Sequence, residues 1–247
     1  MPNWCHNSLH ISGSSDDIKQ FIEANTGLPA QCPLTEREKL AGVPQEPSVT
    51  EPHFCFNALV PTPQAVLELG YDGRQKLNAI AEEQGEEAIE GIMDGWEWNN
   101  RNWGTDRDIY WENITLENCG WAEGITELVL CFYTAWNPPV RWLIQISPQF
   151  PTLRLELDYA EIGMCIAGEV ICENGSINEN HYDRVTCMKM FGYIDDTDEY
   201  SEDVEKLVGV RKCLFEVFSF FRWKWYRTKR WIRRTLKIEK EDEWLPF

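Results

Sequence analysis

Leu153, Leu155, Leu157 and Tyr159 alternate with Arg154, Glu156 and Asp158. In an extended chain successive side chains point to opposite faces, so this run reads as a strand with one face on a core and the other in polar surroundings. Such a strand needs partners. Met164 to Cys172 supplies a hairpin partner, turning at Ile162-Gly163, and the alternation of Trp4 to Ile11 gives another strand with Leu9 and Ile11 on one face. Phe54 to Val60, Ile109 to Glu117 and Glu127 to Tyr133 also have strand composition, and the turn-rich Asn118 to Gly124 joins the last two as neighbours.

Helices are marked by caps and by the 3.6-residue period. Gly13-Ser14-Ser15-Asp16 offers a turn and an N-cap ahead of a short helix through Phe21 and Ile22, ending near Gly27. Asn137-Pro138-Pro139 opens another, with Asn137 as its cap, running through Trp142 and Ile146 to Pro148. Between them lies a helical insert: residues 64–69, then 74–92 with a weak apolar stripe of Leu77, Ile80, Ala81, Ala88 and Ile92. Gly95 to Asp108 reads as turn-rich and aromatic, while residues 28–53, with five prolines, form a long surface connection. The order of elements is that of a split βαβ arrangement with helices on one face of the sheet.

Charge is segregated along the chain. The net charge of −18 combines a segment, residues 211–237, with ten Lys or Arg and one acid (net +9), and a remainder with 13 basic and 40 acidic side chains (net −27). A body this acidic repels nucleic acid and attracts basic partners. Nine cysteines are an odd number in a chain long enough to need no stapling, which points to reduced thiols and a cytoplasmic setting. No run approaches the ~20 apolar residues of a membrane span, and Met1 to Gly13 lacks the basic and apolar regions of a signal peptide.

Four blocks in order resemble the YubB-type ferredoxin-like family of phage and plasmid proteins: Met1 to Cys5, Phe56 to Pro63, Asn102 to Thr105, and Phe132 to Pro139 followed by Leu155 to Gly168. The resemblance spans residues 1–175. It implies an α+β, ferredoxin-like sandwich encoded by a mobile element, and it carries over no catalytic residue; the helical insert read above occupies about 64–106 of this domain. After Thr105 the sequence departs from the family pattern, Asp106-Arg107-Asp108 standing where Lys-Trp-Asp is usual. Residues 176–247 form an extension with a basic amphipathic helix at about 202–237.

Several constellations are open to chemical readings. Cys165, Cys172, His181 and Cys187 could ligate zinc, but they lack a tight C-x₂₋₄-C pair, and core cysteines are the favoured reading. Cys5, His6 and His10 are a weaker ligand set, since a strand sends positions 5 and 6 to opposite faces. Cys5 or Cys119 as nucleophile lacks a local base, and the pairs Glu161 with Asp158 and Glu112 with Asp108 are expected by chance among 41 acids. No catalytic, cofactor-binding or metal residue is therefore assigned.

The aromatic tract from Trp96 is read as mostly core. Its exposed members among Trp96, Trp98 and Trp103, with Glu97 and Asp106 nearby, are candidate protein-binding anchors. In the tail, Leu214, Phe218, Phe221, Trp225 and Ile232 line one helical stripe. Docking on the chain's own acidic body, a membrane or nucleic-acid contact, and a protein partner all remain open for it. Its nucleic-acid-binding candidates are Arg222, Trp223, Lys224, Trp225, Arg227, Lys229, Arg230, Trp231, Arg233 and Arg234. The expected function is non-enzymatic binding to a host protein, in its most concrete form the inhibition of a defence or nucleic-acid-processing protein by an acidic surface. The alternative is a nucleic-acid-binding accessory protein using the tail.

Overall fold

The long strand at 153–159 finds its partners in a computed structural model of the chain, which describes residues 3–30, 51–71, 73–109 and 112–190. Its core is an antiparallel sheet of five strands: β1 (Trp4–Ser12), β4 (Glu127–Ala135), β5 (Arg154–Glu161), β6 (Ile166–Glu173) and β7 (Ser176–His181). The order across the sheet is β4-β1-β5-β6-β7. Both β4 and β5 are antiparallel to β1, which lies between them, so they run parallel to each other. Helix α5 (Val140–Ile146) connects them, completing a split βαβ unit. The smaller strands β2 (Thr26–Gly27) and β3 (His53–Phe54) pair separately.

One face of the sheet is dry. Cys5, Leu9 and Ile11 of β1, Leu128, Leu130 and Phe132 of β4, and Leu155, Leu157 and Tyr159 of β5 are buried, as the alternation requires. Ile18, Phe21 and Ile22 of α1 (Ser15–Ala24) and Trp142, Leu143 and Ile146 of α5 join the same core. Helix α1 starts where its cap places it: the Ser14 hydroxyl accepts the Asp17 N–H at 3.1 Å. The insert contributes α2 (Gln64–Leu69), α3 (Arg74–Gln84) and α4 (Gly95–Asn102).

Five local expectations fail, three of them for reasons visible in the hydrogen bonds. Phe54 to Val60 is not a strand: after β3 it becomes a 3₁₀ turn at Phe56–Ala58, because the Phe56 and Asn57 N–H groups donate to the Asp108 carboxylate instead of a strand. Residues 112–117 form no strand beside β4, whose ladder partner is β1, and the Thr115 N–H turns back to the Asn118 side chain. Gly95 to Asn102 is a helix, since Asp94 caps it by accepting the Glu97 N–H at 2.9 Å. The expected helix over 74–92 breaks at Gly85, whose φ of 91° leaves the helical region, and of its stripe only Leu77 is buried. Helix α5 begins at Val140 with Pro139, not Asn137, in the cap position.

The chain divides into two units, Met1–His181 and Tyr182–Phe247. The first closes at His181 because β7, which the sequence reading passes over, pairs with β6 through Glu173↔Ser176 to Gly168↔His181. Of the second, α6 (Arg184–Met190) is described, with Asp183 accepting the Thr186 N–H at 2.7 Å. The basic helix at 202–237 and most of the 28–53 connection lie outside the described residues. Among those described, no helix is long and apolar enough to cross a membrane.

Candidate functional site

Residues of three of the sequence blocks, 56–63, 102–105 and 132–139, meet at one structural junction. Asp108 is buried at its centre: Oδ1 accepts the N–H groups of Phe56 (2.6 Å) and Ile109 (2.9 Å), and Oδ2 those of Ala30 (3.1 Å) and Asn57 (3.1 Å). Burial outweighs these four donors and pushes the carboxyl up to about 6. Trp103 donates its indole N–H to the Val60 carbonyl at 3.0 Å, and its own carbonyl accepts from the Trp142 N–H at 3.1 Å. The Thr105 hydroxyl donates to the Ala135 carbonyl at 2.9 Å, and Gly104 holds a φ of 89° where a Cβ would meet the Pro138 carbonyl at 3.1 Å. The family-like blocks therefore tie the insert, the 3₁₀ turn and α5 to the sheet, a packing role.

The predicted protein-binding residues separate accordingly. Trp96 stands 48% exposed, whereas Trp98 is 7% exposed and Trp103 wholly buried, their rings edge to face with centroids 5.3 Å apart. Glu97 pairs with Arg74 at 3.4 Å on the surface. Asp106 is not a surface anchor. It is buried, accepting from the Tyr71 hydroxyl and the Asn100 amide, both at 2.9 Å. The tail candidates from Arg222 to Arg234 lie outside the described residues.

Several members of the chemical constellations in the first unit have other partners or settings. Asp158 and Glu161 are an odd number of residues apart on β5 and face opposite ways, Glu161 closing the β5–β6 turn by accepting from the Gly163 and Met164 N–H groups. His181 pairs with the Tyr159 hydroxyl at 2.5 Å, and Cys172 is buried within β6. Cys5 is buried, and burial pushes its thiol far up. The acids that do converge are Glu156, Asp158 and Glu169 on the outer sheet face, with carboxylate oxygens within 4.8 Å of one another. They are partly compensated: Arg154 reaches Glu156 at 2.6 Å, His10 lies 3.6 Å from Asp158, and the Asn180 amide donates to Glu169 at 3.4 Å.

Sequence reasoning missed a groove on that outer face. It has a volume of about 420 Å³ and is lined by Trp4, His6, Glu112 and Tyr133. Trp4 and His6 share a face of β1, the register sets Tyr133 opposite His6, and the two rings meet edge to face at 4.5 Å. Glu112 Oε1 accepts the Tyr133 N–H at 2.9 Å, holding the carboxylate at the strand edge. Burial pushes His6 down to about 4, and burial, then the Glu112 and Cys131 charges, raise Tyr133, so both rings are neutral at pH 7. The alternation of Trp4 and His6 was a legible signal; the pairing with Tyr133 was not.

The depressed His6 carries a pH signature. The unfolded chain binds a proton more tightly between pH 6.5 and about 4, so the stability that neutral His6 confers is present above that window and lost as pH falls through it. His6→Phe keeps a ring against Tyr133 and removes the titration. In urea melts, the advantage of wild type over His6→Phe should shrink by at most about 3 kcal/mol between pH 7 and pH 4. A constant difference would mean a solvated imidazole.

The fold thus defines the class of protein: an α+β domain whose antiparallel sheet keeps one face dry and carries an aromatic groove and an acid cluster on the other. Residues 106–205 match a family model described as the ferredoxin-like domain in Api92-like protein, which places this α+β fold in the ferredoxin-like class. Among solved structures, the crystal structure of the protein api92 from Yersinia pseudotuberculosis is similar, with 12% identity and a TM-score of 0.45, over 74% of this chain and 99% of that one. A comparison with curated proteins finds no match.

Proposed function

We infer that the chain is a non-enzymatic binding protein that engages a basic macromolecule through its acidic helical insert. The observation that carries this reading is Trp96: of Trp96, Trp98 and Trp103, it alone is turned to solvent. The exposed Ile92 precedes it by one helical turn's worth of sequence, and Glu82, Glu83, Glu86, Glu87 and Glu90 are exposed just upstream. An exposed aromatic anchor with exposed acids just upstream in the sequence suits a basic partner, the acids raising the encounter rate and the anchor slowing departure. The finer reading, a phage- or plasmid-encoded inhibitor of a host defence or nucleic-acid-processing protein acting in the bacterial cytoplasm, rests on the four-block resemblance and the acidic charge.

The test is kinetic. Full-length protein is immobilised, a basic protein retained from bacterial lysate is identified and purified, and its association is measured at two ionic strengths. Trp96→Ala should speed dissociation by about tenfold or more, while Glu86→Lys with Glu87→Lys should mainly slow association. Retention that ignores both substitutions defeats the reading. Binding of DNA or RNA through residues 211–237, with no protein retained, would put the accessory-protein alternative in its place.

A further inference from the structure

We propose that the outer edge of β7 is a docking site for an extended, basic segment of a partner protein, which adds to the sheet as a further antiparallel strand. The site lies within the first unit, on residues unconnected with Trp96, and does not rest on the function inferred above.

The backbone supplies the first part of the argument. β7 ends the order β4-β1-β5-β6-β7, and among the described residues no strand pairs with its far side. All six of its residues are exposed. An open edge presents a row of N–H and C=O groups that another chain can complete, and proteins commonly blunt such edges with Lys, Pro or a bulge. β7 has none of these. Its sequence is Ser-Ile-Asn-Glu-Asn-His, and its register with β6 runs unbroken from Glu173↔Ser176 to Gly168↔His181.

Charge selects the occupant. Residues 155–183 hold seven acids and no Lys or Arg. On the dry-face side of the sheet, Glu179 continues the row of Leu157 and Val170, and Ile177 that of Leu155 and Cys172, so the two stand side by side at the edge. The Glu179 side chain is 38% exposed and lies 3.4 Å from His181 of its own strand, while Ile177 is 46% exposed. On the opposite face Ser176 lies in the row of Glu173, which meets Arg154 at 3.5 Å. An added strand therefore finds a carboxylate opposite one residue, an aliphatic chain two residues on, and then a short serine with a carboxylate behind it. Lys, Val and Arg in those places suit it. An acidic strand is repelled, and self-pairing is opposed by the net charge of −18 on each copy. In strand addition the main chain gives affinity and the alternate side chains give specificity.

The probe is a fluorescein-labelled peptide with an amidated end, Thr-Thr-Lys-Thr-Val-Arg, in which an antiparallel strand sets Lys opposite Glu179, Val opposite Ile177 and Arg opposite Ser176. It is titrated into the full-length protein, with binding read by anisotropy and hydrogen exchange of the β7 amides by NMR. Millimolar or tighter binding is expected, with alternate amides of residues 176–181 slowed in exchange. Two further peptides carry N-methyl groups on the odd or on the even amides, which leaves charge and side chains unaltered. Only one set faces β7, so one peptide should lose binding and the other keep it. Glu179→Gln should weaken binding by about 1.5- to fivefold, the range of a cross-strand pair of opposite charges, and Glu179→Lys by more. Trp96→Ala should leave it unchanged, which keeps this outcome distinct from that of the insert. Loss of binding by both methylated peptides or by neither, equal binding of a peptide with Glu in place of Lys and Arg, or no binding to the folded wild type at millimolar concentration overturns the proposal. Should sedimentation show a dimer that Asn178→Lys dissolves, a second copy occupies the edge and the proposal is likewise overturned.

Discussion

Replacing Asp108 with alanine should destabilise the first unit by about 4 kcal/mol at pH 7, a net of opposing terms. Four N–H groups lose their acceptor, those of Ala30, Phe56 and Ile109 buried and that of Asn57 partly so, at about 1–3 kcal/mol for each buried one. Against this stands the cost of keeping a charged carboxylate in the interior, which the rise to about 6 records and which amounts to about 3 kcal/mol at neutral pH. The donors win. The pH dependence runs opposite to that of His6: a carboxyl whose folded pKa is raised contributes stability fully present below its unfolded value and lost as pH rises through about 6. The gap between wild type and Asp108→Ala should therefore narrow from pH 4 to pH 7. Asp108→Asn keeps the volume and one acceptor but points an amide at two N–H groups, so it should recover less than half of the loss. Chemical denaturation of the three proteins across that range decides it, and a cost below about 1 kcal/mol would mean that water substitutes for the carboxylate.

The second large effect separates two tryptophans seven residues apart. Trp103→Ala should cost about 3–5 kcal/mol, the range for emptying a buried aromatic site. Its ring centroid lies 5.8 Å from that of Phe56, and its indole is the donor to the Val60 carbonyl, so the substitution opens a hole and leaves an acceptor behind. Trp96→Ala, on the exposed side of α4, should change stability by less than about 0.5 kcal/mol. Thermal melts of both variants are a direct comparison. Should Trp96→Ala melt as early as Trp103→Ala, the insert surface is core under load, and the binding reading loses its anchor.

What the sequence determined by itself was everything governed by neighbours in the chain. The period of two in Trp4 to Ile11 and Leu153 to Tyr159 set which face of β1 and β5 would be dry, because alternation is a property of the extended backbone. Ser14 fixed the start of α1 for the same local reason, and Ile162-Gly163 sits in the turn between β5 and β6. The same alternation placed Trp4 and His6 on one face, half of the groove.

The tertiary structure decided what depended on partners far along the chain. Phe54 to Val60 has strand composition, yet a carboxylate fifty residues away collects its N–H groups and bends it into a 3₁₀ turn. Gly95 to Asn102 is rich in turn formers, yet capping by Asp94 and burial of Trp98 hold it helical. Ser176–His181 carries no apolar alternation, every side chain being exposed, and becomes a strand because β6 offers an unpaired edge. Tyr133 meets His6 only through the β1–β4 register, a pairing of residues 127 positions apart that no local pattern encodes. Propensity and period act over a few residues, whereas a buried N–H must find an acceptor wherever the fold supplies one, and that requirement overruled local preference at the junction around Asp108.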